Sequence, residues 1–476
     1  MISMNNLTKI ISTLGPAINN KKSLLSIVKK GTNSFRINFS HGSFDEHLKS
    51  IRMIREIEHK LNLSIPIIGD LQGPKFRIGT LKNDCQIFKM DKINFFFDDD
   101  NINQKKIDPS IINIPITNKI VFSEMIPGTK LLVDDGKLKF NVLNVSDKSF
   151  IAEALDSGII KSKKGVNLPE LTFNISPLTN KDKLDLEFIL KHKLDYIALS
   201  FVQKSSDILE LRSLIDIDTK IISKIEKPQA LNDITNIVRL SDAVMIARGD
   251  LGVELTPQQV PTIQKKLIQT CRRVGKPVIV ATQMLESMIN SSSSTRAEAS
   301  DVAGAVFDGA DAVMLSAETS IGEFPEESVV VMDSIIGTVE DHIKKFPDDG
   351  PVKLDIETSI YHAVAQATVD LSDKIEAKLI LAFTTTGNTA IRIARERPKM
   401  PIIAVTINKA VKRRLNLIWG IRTLYINDND FEDCLSKTII EIKKIGLSSS
   451  GDNIVVVSGM PFGLPGSTNS IRIENV

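Results

Sequence analysis

The sequence predicts an α/β protein: a (β/α)8 TIM barrel interrupted by an inserted β-rich domain and followed by a separate C-terminal α/β domain. Three observations carry this. Short β-branched, apolar runs alternate with helical patterns eight times before about residue 320. The rhythm breaks from about Pro74 to Thr172, where turn signals replace long helical patterns. A second alternation begins beyond Lys353. Near-continuous apolar strands separated by helices indicate a parallel sheet covered on both faces. Eight such units suggest a closed barrel, and a doubly wound open sheet is the alternative with the same local pattern.

The first three strands are Lys9–Leu14, Ser34–Ser40 and Ile65–Asp70. The interruption carries Pro127-Gly128, Asp135-Gly136 and the acidic loop Asp98–Asp100, so it reads as short strands joined by turns. Strands four to eight are Tyr196–Phe201, Lys220–Glu226, Ala243–Gly249, Pro277–Gln283 and Ala312–Glu318. The polar stretch Lys344–Lys353 reads as a linker, and the run Ser291–Ser294 as a flexible loop. Beyond the linker, strands are expected at Leu379–Thr384, Ile402–Ile407, Leu424–Ile426 and Ile454–Ser458. The resulting domains are 1–73 and 173–345 for the barrel, 74–172 for the insertion and 346–476 for the C-terminal domain.

Composition bounds the function. The chain has 476 residues, is 42% hydrophobic and 25% charged, and carries a net charge of +2, so bulk charge points to neither nucleic acid nor an acidic membrane. Cys85, Cys271 and Cys434 are widely spaced and odd in number, which argues against a disulfide framework or zinc site and fits a reducing, cytoplasmic compartment. Met1–Thr8 has no apolar signal core, and no apolar run approaches the ~18 residues of a membrane span.

Polar residues gather at the C-terminal ends of the barrel strands, where such enzymes place their chemistry. Strand two ends Arg36-Ile37-Asn38-Phe39-Ser40-His41, and alternation puts Arg36, Asn38 and Ser40 on one face. A cation and two neutral oxygens suit a phosphate beside a metal ion; a satisfied polar layer in the barrel core is the bland reading. Strand five ends Lys224-Ile225-Glu226, again with both charges on one face. A buried ion pair would explain them equally well. Strand six, however, ends Arg248-Gly249-Asp250-Leu251-Gly252, so Glu226 and Asp250 are expected to meet across neighbouring strands and hold Mg2+. Lys224 would then supply a point charge to a phosphoryl group in flight.

Thr282 places a hydroxyl at the end of strand seven, and Ser316 with Glu318 a polar pair at the end of strand eight. Thr295-Arg296-Ala297-Glu298 has capping-box spacing. In the C-terminal domain, Thr384-Thr385-Thr386-Gly387-Asn388-Thr389 joins a strand to a helix, which suits an anion site as well as plain N-capping. Gly69–Lys75 lacks the Walker spacing, and no G-x-G-x-x-G, G-x-S-x-G or H-E-x-x-H occurs.

Nine ordered blocks resemble the pyruvate kinase family: Arg36–Gly42, Gly69–Lys75, Asp134–Gly136, Lys163–Pro169, Ser223–Glu226, Ala247–Glu254, Ala281–Met288, Thr295–Glu298 and Asp308–Thr319. The resemblance implies an inserted β-barrel lid, a regulatory C-terminal domain and a homotetramer. It implies transfer of the phosphoryl group of phosphoenolpyruvate to ADP, giving pyruvate and ATP, as the last step of glycolysis. Arg36 and Lys224 would hold the substrate phosphate, with Gly249, Asp250 and Thr282 on the substrate. Glu226 and Asp250 would bind Mg2+, and Asn38, His41, Arg77 and Lys164 the nucleotide. Thr282 would relay a proton to the enolate. Asn38, Ser40, Asp70 and the Leu71 carbonyl match the K+ set. Residues Thr384–Thr389 would form the effector site, for a sugar phosphate or nucleotide monophosphate, with Gly466–Ser470 as its loop.

Two departures matter. Lys75 stands where many members have glutamate, and a fixed ammonium there supplies the charge of K+, so weak or no K+ activation is expected. Asn290 and four serines replace the usual proline-containing loop before Thr295. Competing readings are another barrel enzyme acting on phosphoenolpyruvate and a catalytically dead regulator. The first would not need Arg77, Lys164 or a lid, and the second would be expected to have lost Lys224, Glu226 or Asp250.

Overall fold

A computed structural model describes residues 6–97, 111–216, 218–353, 359–428, 430–464, 466 and 468–476. The acidic loop Asp98–Asp100 and Ser467 lie outside the described residues. Among the described residues no helix is long and apolar enough to cross a membrane.

Eight parallel strands close into a barrel: Lys9–Thr13, Thr32–Asn38, Ile67–Asp70, Tyr196–Leu199, Lys220–Ile225, Ala243–Ala247, Val278–Ala281 and Ala312–Leu315. The first pairs with both the second and the eighth, which excludes the open sheet. Most strand residues are buried, because helices cover the outside while side chains fill the inside. Except for the third, which ends with its run at Asp70, the strands end one to three residues before their apolar runs do. Those last residues turn into the mouth loops, and they are the polar ones.

Two of these ends differ from expectation. Residues Arg248–Glu254 do not extend strand six but form a helix, so Asp250 sits in its first turn. Ala317–Ser320 is likewise a short helix, and Ser316 and Glu318 do not share a strand face. Glu318 instead accepts from the backbone N–H groups of Leu285 and Ser316 at 3.1 and 2.7 Å, and pins the neighbouring loop. Thr295 and Glu298 form the expected capping box. In the serine run, Ser291 Oγ donates to Ser293 O at 2.9 Å.

The insertion folds as a seven-stranded sheet running from Phe76–Arg77 to Ile112–Ile116, with a small two-stranded sheet beside it. A bridge between Ile78 and Ile116 brings its two edges together. Phe95, Phe140 and Phe150 fill its interior.

The C-terminal domain is a five-stranded sheet in the order Ile421–Tyr425, Ile402–Thr406, Ile380–Phe383, Asn453–Gly459, Thr468–Asn475. The last strand is antiparallel to its neighbour and was expected only as a loop at Gly466–Ser470. It is a half-exposed edge strand in which Arg472 separates Ile471 from Ile473 and polar residues flank both, so it has no continuous apolar run. This domain docks under the N-terminal ends of the barrel strands, opposite the mouth. Arg413 pairs with Asp195 at 2.8 Å and Arg397 with Asp311 at 3.2 Å, while the Tyr196 hydroxyl donates to Arg414 O at 3.0 Å.

Candidate active site

At the barrel mouth a cavity of about 70 Å3 is lined by Arg36, Asn38, Asp70, Lys224, Asp250 and Thr282, among others. These come from strands two, three, five, six and seven, or the loops that follow them. Parallel register brings them level: Asn38 is paired with Asp70, and Asp70 with Ala198.

Lys224 is the hub. Its Nζ lies 2.8 Å from Glu226 Oε1 and 3.1 Å from Asp70 Oδ1, and donates to Ser200 Oγ at 2.7 Å. Burial alone would lower the pKa of this lysine. The carboxylates of Asp70 and Glu226 outweigh that and hold the ammonium above its usual range. Asp70 is buried too, which by itself raises its pKa, but Lys224 and Arg36 bring it below the usual carboxylate range. Arg36 Nε donates to Asp70 Oδ2 at 2.6 Å, and Arg36 Nη1 to Thr13 Oγ1 at 3.3 Å. The cluster is therefore an ion-pair network that can also receive an anion such as a phosphate. Its cations are held in place by carboxylates behind them while facing the cavity.

Glu226 shares the strand face with Lys224, as alternation requires. Its Oε2 accepts from the Phe201 N–H at 3.0 Å. Its Oε1 is close to the Lys224 ammonium but off the hydrogen-bonding angle, so this buried oxygen has no hydrogen-bond donor. This open acceptor and Asp250, both of which act electrostatically on Lys224, are hard-oxygen donors of the kind that suits a divalent cation. Asp250 is partly exposed and has Lys75 Nζ at 3.7 Å. Lys75 therefore places its charge in the same cavity, next to the Asn38, Ser40, Asp70 and Leu71 group. Within that group, Asn38 Oδ1 accepts from Ser40 N at 3.1 Å and Leu71 O from Ser200 Oγ at 2.7 Å.

Thr282 has φ 67°, a left-handed conformation that strains a β-branched residue by about 1–3 kcal/mol. The strain fixes its hydroxyl. Thr282 Oγ accepts from Gly249 N at 2.7 Å and donates to Ala281 O at 2.6 Å. The Gly249 N–H is thus engaged by Thr282.

The structure does not bring His41, Arg77 and Lys164 to this cavity. His41 is exposed on the loop after strand two. Arg77 Nη1 donates to Lys163 O at 3.0 Å, and Lys164 pairs with Asp134 at 2.8 Å, all within the inserted domain. Two contributors were missed in the sequence. Ser200, which links Lys224 to the Leu71 carbonyl, was visible as the last polar residue of the fourth run. Glu254 was seen only as part of a block; it is buried, pairs with Lys227 at 2.7 Å and accepts from Asn167 of the inserted domain at 2.8 Å.

In the C-terminal domain, Thr384–Thr386, Asn388 and Thr389 line a cavity of about 310 Å3. Gly387, at φ 98°, caps the helix Asn388–Arg395, and its N–H is satisfied by Thr384 Oγ at 2.9 Å.

Comparison with known proteins is consistent along the whole chain. A family model described as pyruvate kinase, barrel domain, matches residues 5–329, and one described as pyruvate kinase, alpha/beta domain, matches residues 362–474. A pyruvate kinase of Agrobacterium vitis is 46% identical over 474 residues, covering 99% of each chain. Pyruvate kinase 2 of Synechocystis is 39% identical over 98% of this chain and 79% of its own. The crystal structure of a pyruvate kinase from Cryptosporidium parvum superposes with a TM-score of 0.89 at 33% identity, covering 100% of this chain and 97% of that one.

Proposed function

This chain belongs to the pyruvate kinase family, and on that premise we propose that phosphoryl transfer takes place in the Lys224 cavity. The activity is that of the family: a phosphotransferase that moves the phosphoryl group of phosphoenolpyruvate to ADP, yielding pyruvate and ATP in glycolysis. The observation that carries the site assignment is the Lys224 hub, a lysine kept charged in a buried position by Asp70 and Glu226.

Transfer breaks the bond between phosphorus and the enol oxygen and forms one to a β-phosphate oxygen of ADP. The enolate left behind takes a proton at carbon to become pyruvate. Lys224 and Arg36 are placed to bind the phosphoryl oxygens while their charge redistributes. Because Asp70 holds both cations, they need not reorganise during transfer. Glu226 and Asp250 would hold Mg2+, which when bound supplies positive charge to the phosphoryl and enolate oxygens.

The enzymes of this family work with a divalent and a monovalent cation, and here the Lys75 ammonium fills the monovalent role beside Asn38, Ser40, Asp70 and Leu71. Thr282 already donates its one proton to Ala281 O. It therefore orients a water for enolate protonation through its remaining lone pair, rather than delivering its own proton.

Residues 74–172 act as a lid that carries Arg77 and Lys164 over the nucleotide, joined there by Asn38 and His41. Thr384–Thr389 bind an effector of sugar-phosphate or nucleotide-monophosphate type in their cavity. A cytoplasmic location follows from the glycolytic role and fits three free cysteines. A lactate-dehydrogenase-coupled assay tests the activity: pyruvate must form from phosphoenolpyruvate only when ADP is present. ADP-independent pyruvate formation would overturn the reading.

A further inference from the structure

A second cavity, of about 220 Å3, lies between the floor of the barrel and the C-terminal domain. Its walls carry four cationic side chains, Lys220, Lys276, Arg392 and Arg414, against one carboxylate, Asp242. Asp242 is already committed: it accepts from Arg212 at 2.6 Å and from the Ile221 N–H at 2.9 Å. Lys220 Nζ also reaches Asp242, at 3.8 Å from Oδ1, and the other three cations are met by neutral groups. Lys276 Nζ donates to Ser241 O at 2.5 Å, Arg414 donates to Asp218 O, and Arg392 stacks 4.7 Å over the Tyr361 ring.

A further donor points to a missing acceptor. Arg395 pairs with Glu396 through Nε and Nη2, while its Nη1 is buried and has no hydrogen-bond partner among the described residues. It lies 3.4 Å from the Cβ position of Gly275, a lining residue that has no side chain to separate this guanidinium from the cavity. A buried guanidinium donor left open is costly unless something supplies an oxygen. Lys276 reports the same imbalance. Burial lowers its pKa, Asp242 opposes this, and Arg212 and Lys220 lower it further. The cavity is smaller than the ~300–1,000 Å3 common for drug-sized ligands, so its occupant is small.

We propose that this interdomain cavity is a binding site for a small phosphate monoester, held by Lys220, Lys276 and Arg414, with Arg392 on its wall and Arg395 behind Gly275. A doubly charged tetrahedral anion with three terminal oxygens answers several converging cations better than a carboxylate does. The site is distinct from the Thr384–Thr389 cavity but not independent of it. Thr386, Asn388 and Arg392 line both, so one helix start forms a shared wall. An occupant here bridges barrel residues to the C-terminal domain and touches the back of the other pocket.

The test uses the full-length protein without phosphoenolpyruvate, ADP or added divalent cation, so it stands apart from the assignment of the barrel mouth. Inorganic phosphate, glucose 6-phosphate and adenosine 5′-monophosphate are titrated by calorimetry, and amide exchange is followed with each. At least one probe should bind and slow exchange across residues 274–277 and 386–392. Lys220→Gln with Lys276→Gln should weaken that binding by about tenfold or more. Thr385→Ala, which alters only the neighbouring cavity, should leave it unchanged. Binding of inorganic phosphate alone would reduce the ligand to the free anion, and preference between the two esters identifies the organic part. Three results overturn the proposal: no binding by any probe, binding lost in Thr385→Ala but kept in the lysine variant, or exchange unaltered at 274–277. The exchange measurement needs no variant, so a lysine variant that fails to fold does not shelter the idea.

Discussion

Lys224 Nζ lies 3.1 Å from Asp70 Oδ1, a contact that ties strand five to strand three across the barrel mouth. Glu226, two residues along the same strand, is the partner that alternation makes obvious. Asp70 is the one that also holds Arg36, so a single buried carboxylate positions both cations of the proposed phosphate cradle.

Removing the Lys224 charge should therefore disable chemistry. Lys224→Met is expected to reduce kcat by about a thousandfold, the scale of losing a preorganised charged donor. Circular dichroism should show an intact fold, since Ser200 and Asp70 retain other partners. Near-normal turnover would remove Lys224 from the mechanism.

The pH dependence follows from the same contact. The Lys224 pKa is higher in the folded state, so this lysine contributes stability below its unfolded pKa of about 10.4 and loses it as pH rises through the folded value. The Asp70 pKa is depressed, so its contribution is present above its unfolded value of about 3.9 and fades as pH falls through the folded one. The pair holds across the neutral range. The pH–kcat profile of the unaltered enzyme should show no inflection from Lys224 below pH of about 10. In Asp70→Asn the largest raising charge is gone while burial persists, so an alkaline inflection should appear at lower pH. Identical alkaline limbs in both proteins would refute this.

What was legible followed from local periodicity. Arg36, Asn38 and Ser40 on one strand, and Lys224 with Glu226 on another, share faces because strand side chains alternate. Which strands face each other at that level depends on register, which no local pattern encodes, so Ser200 under Lys224 and Asp70 beside it emerged only from the fold. Asp250 and Glu318 were placed on strands because glycine and alanine next to them do not distinguish a strand end from a tight helix start. The edge strand Thr468–Asn475 escaped because one face is exposed and its pattern is mostly polar.

Lys75 gives a prediction about ions. Its ammonium stands 3.7 Å from Asp250 in the cavity where Asn38, Ser40 and Asp70 gather. Exchanging K+ for tetramethylammonium should change the activity of the unaltered enzyme by less than about twofold, since a fixed charge needs no dissolved one. Lys75→Met should lower activity and make the remainder respond to K+. A large fall in the unaltered enzyme on removal of K+ would sink the idea.

Lys9 offers a stability test at the other end of the barrel. Burial lowers its pKa to about 8, with Glu340 partly opposing and Arg422 adding to the effect. Unfolding restores the ordinary value, so between pH of about 8 and about 10.4 the unfolded chain binds the extra proton and the penalty this group places on folding fades as pH rises. Lys9→Met should be more stable than the unaltered protein near neutrality, by up to about 3 kcal/mol. The gap should close as pH rises through that window. A gap independent of pH, read from denaturant unfolding, would show that Lys9 is not the titrating group.

Glu254 joins the inserted domain, proposed as a lid, to the barrel. Its Oε1 receives Lys227 Nζ at 2.7 Å and Asn167 Nδ2 at 2.8 Å, while Oε2 is buried without a partner. Lys227 also lies 4.8 Å over the ring of Phe201, which packs edge-on against Phe76 of the lid. A buried carboxylate tolerates this position only because the ammonium opposes it. Lys227→Met removes that charge and strands Glu254, so it should destabilise the protein by about 3–5 kcal/mol. Adding Glu254→Gln removes the stranded charge and keeps an acceptor for Asn167, so the double variant should regain most of the loss. Amide exchange at residues 165–167 should rise in the single variant and fall back in the double one, because Asn167 is the lid's side of the contact. Losses that simply add in the double-mutant cycle would mean that Lys227 and Glu254 act separately and do not latch the lid.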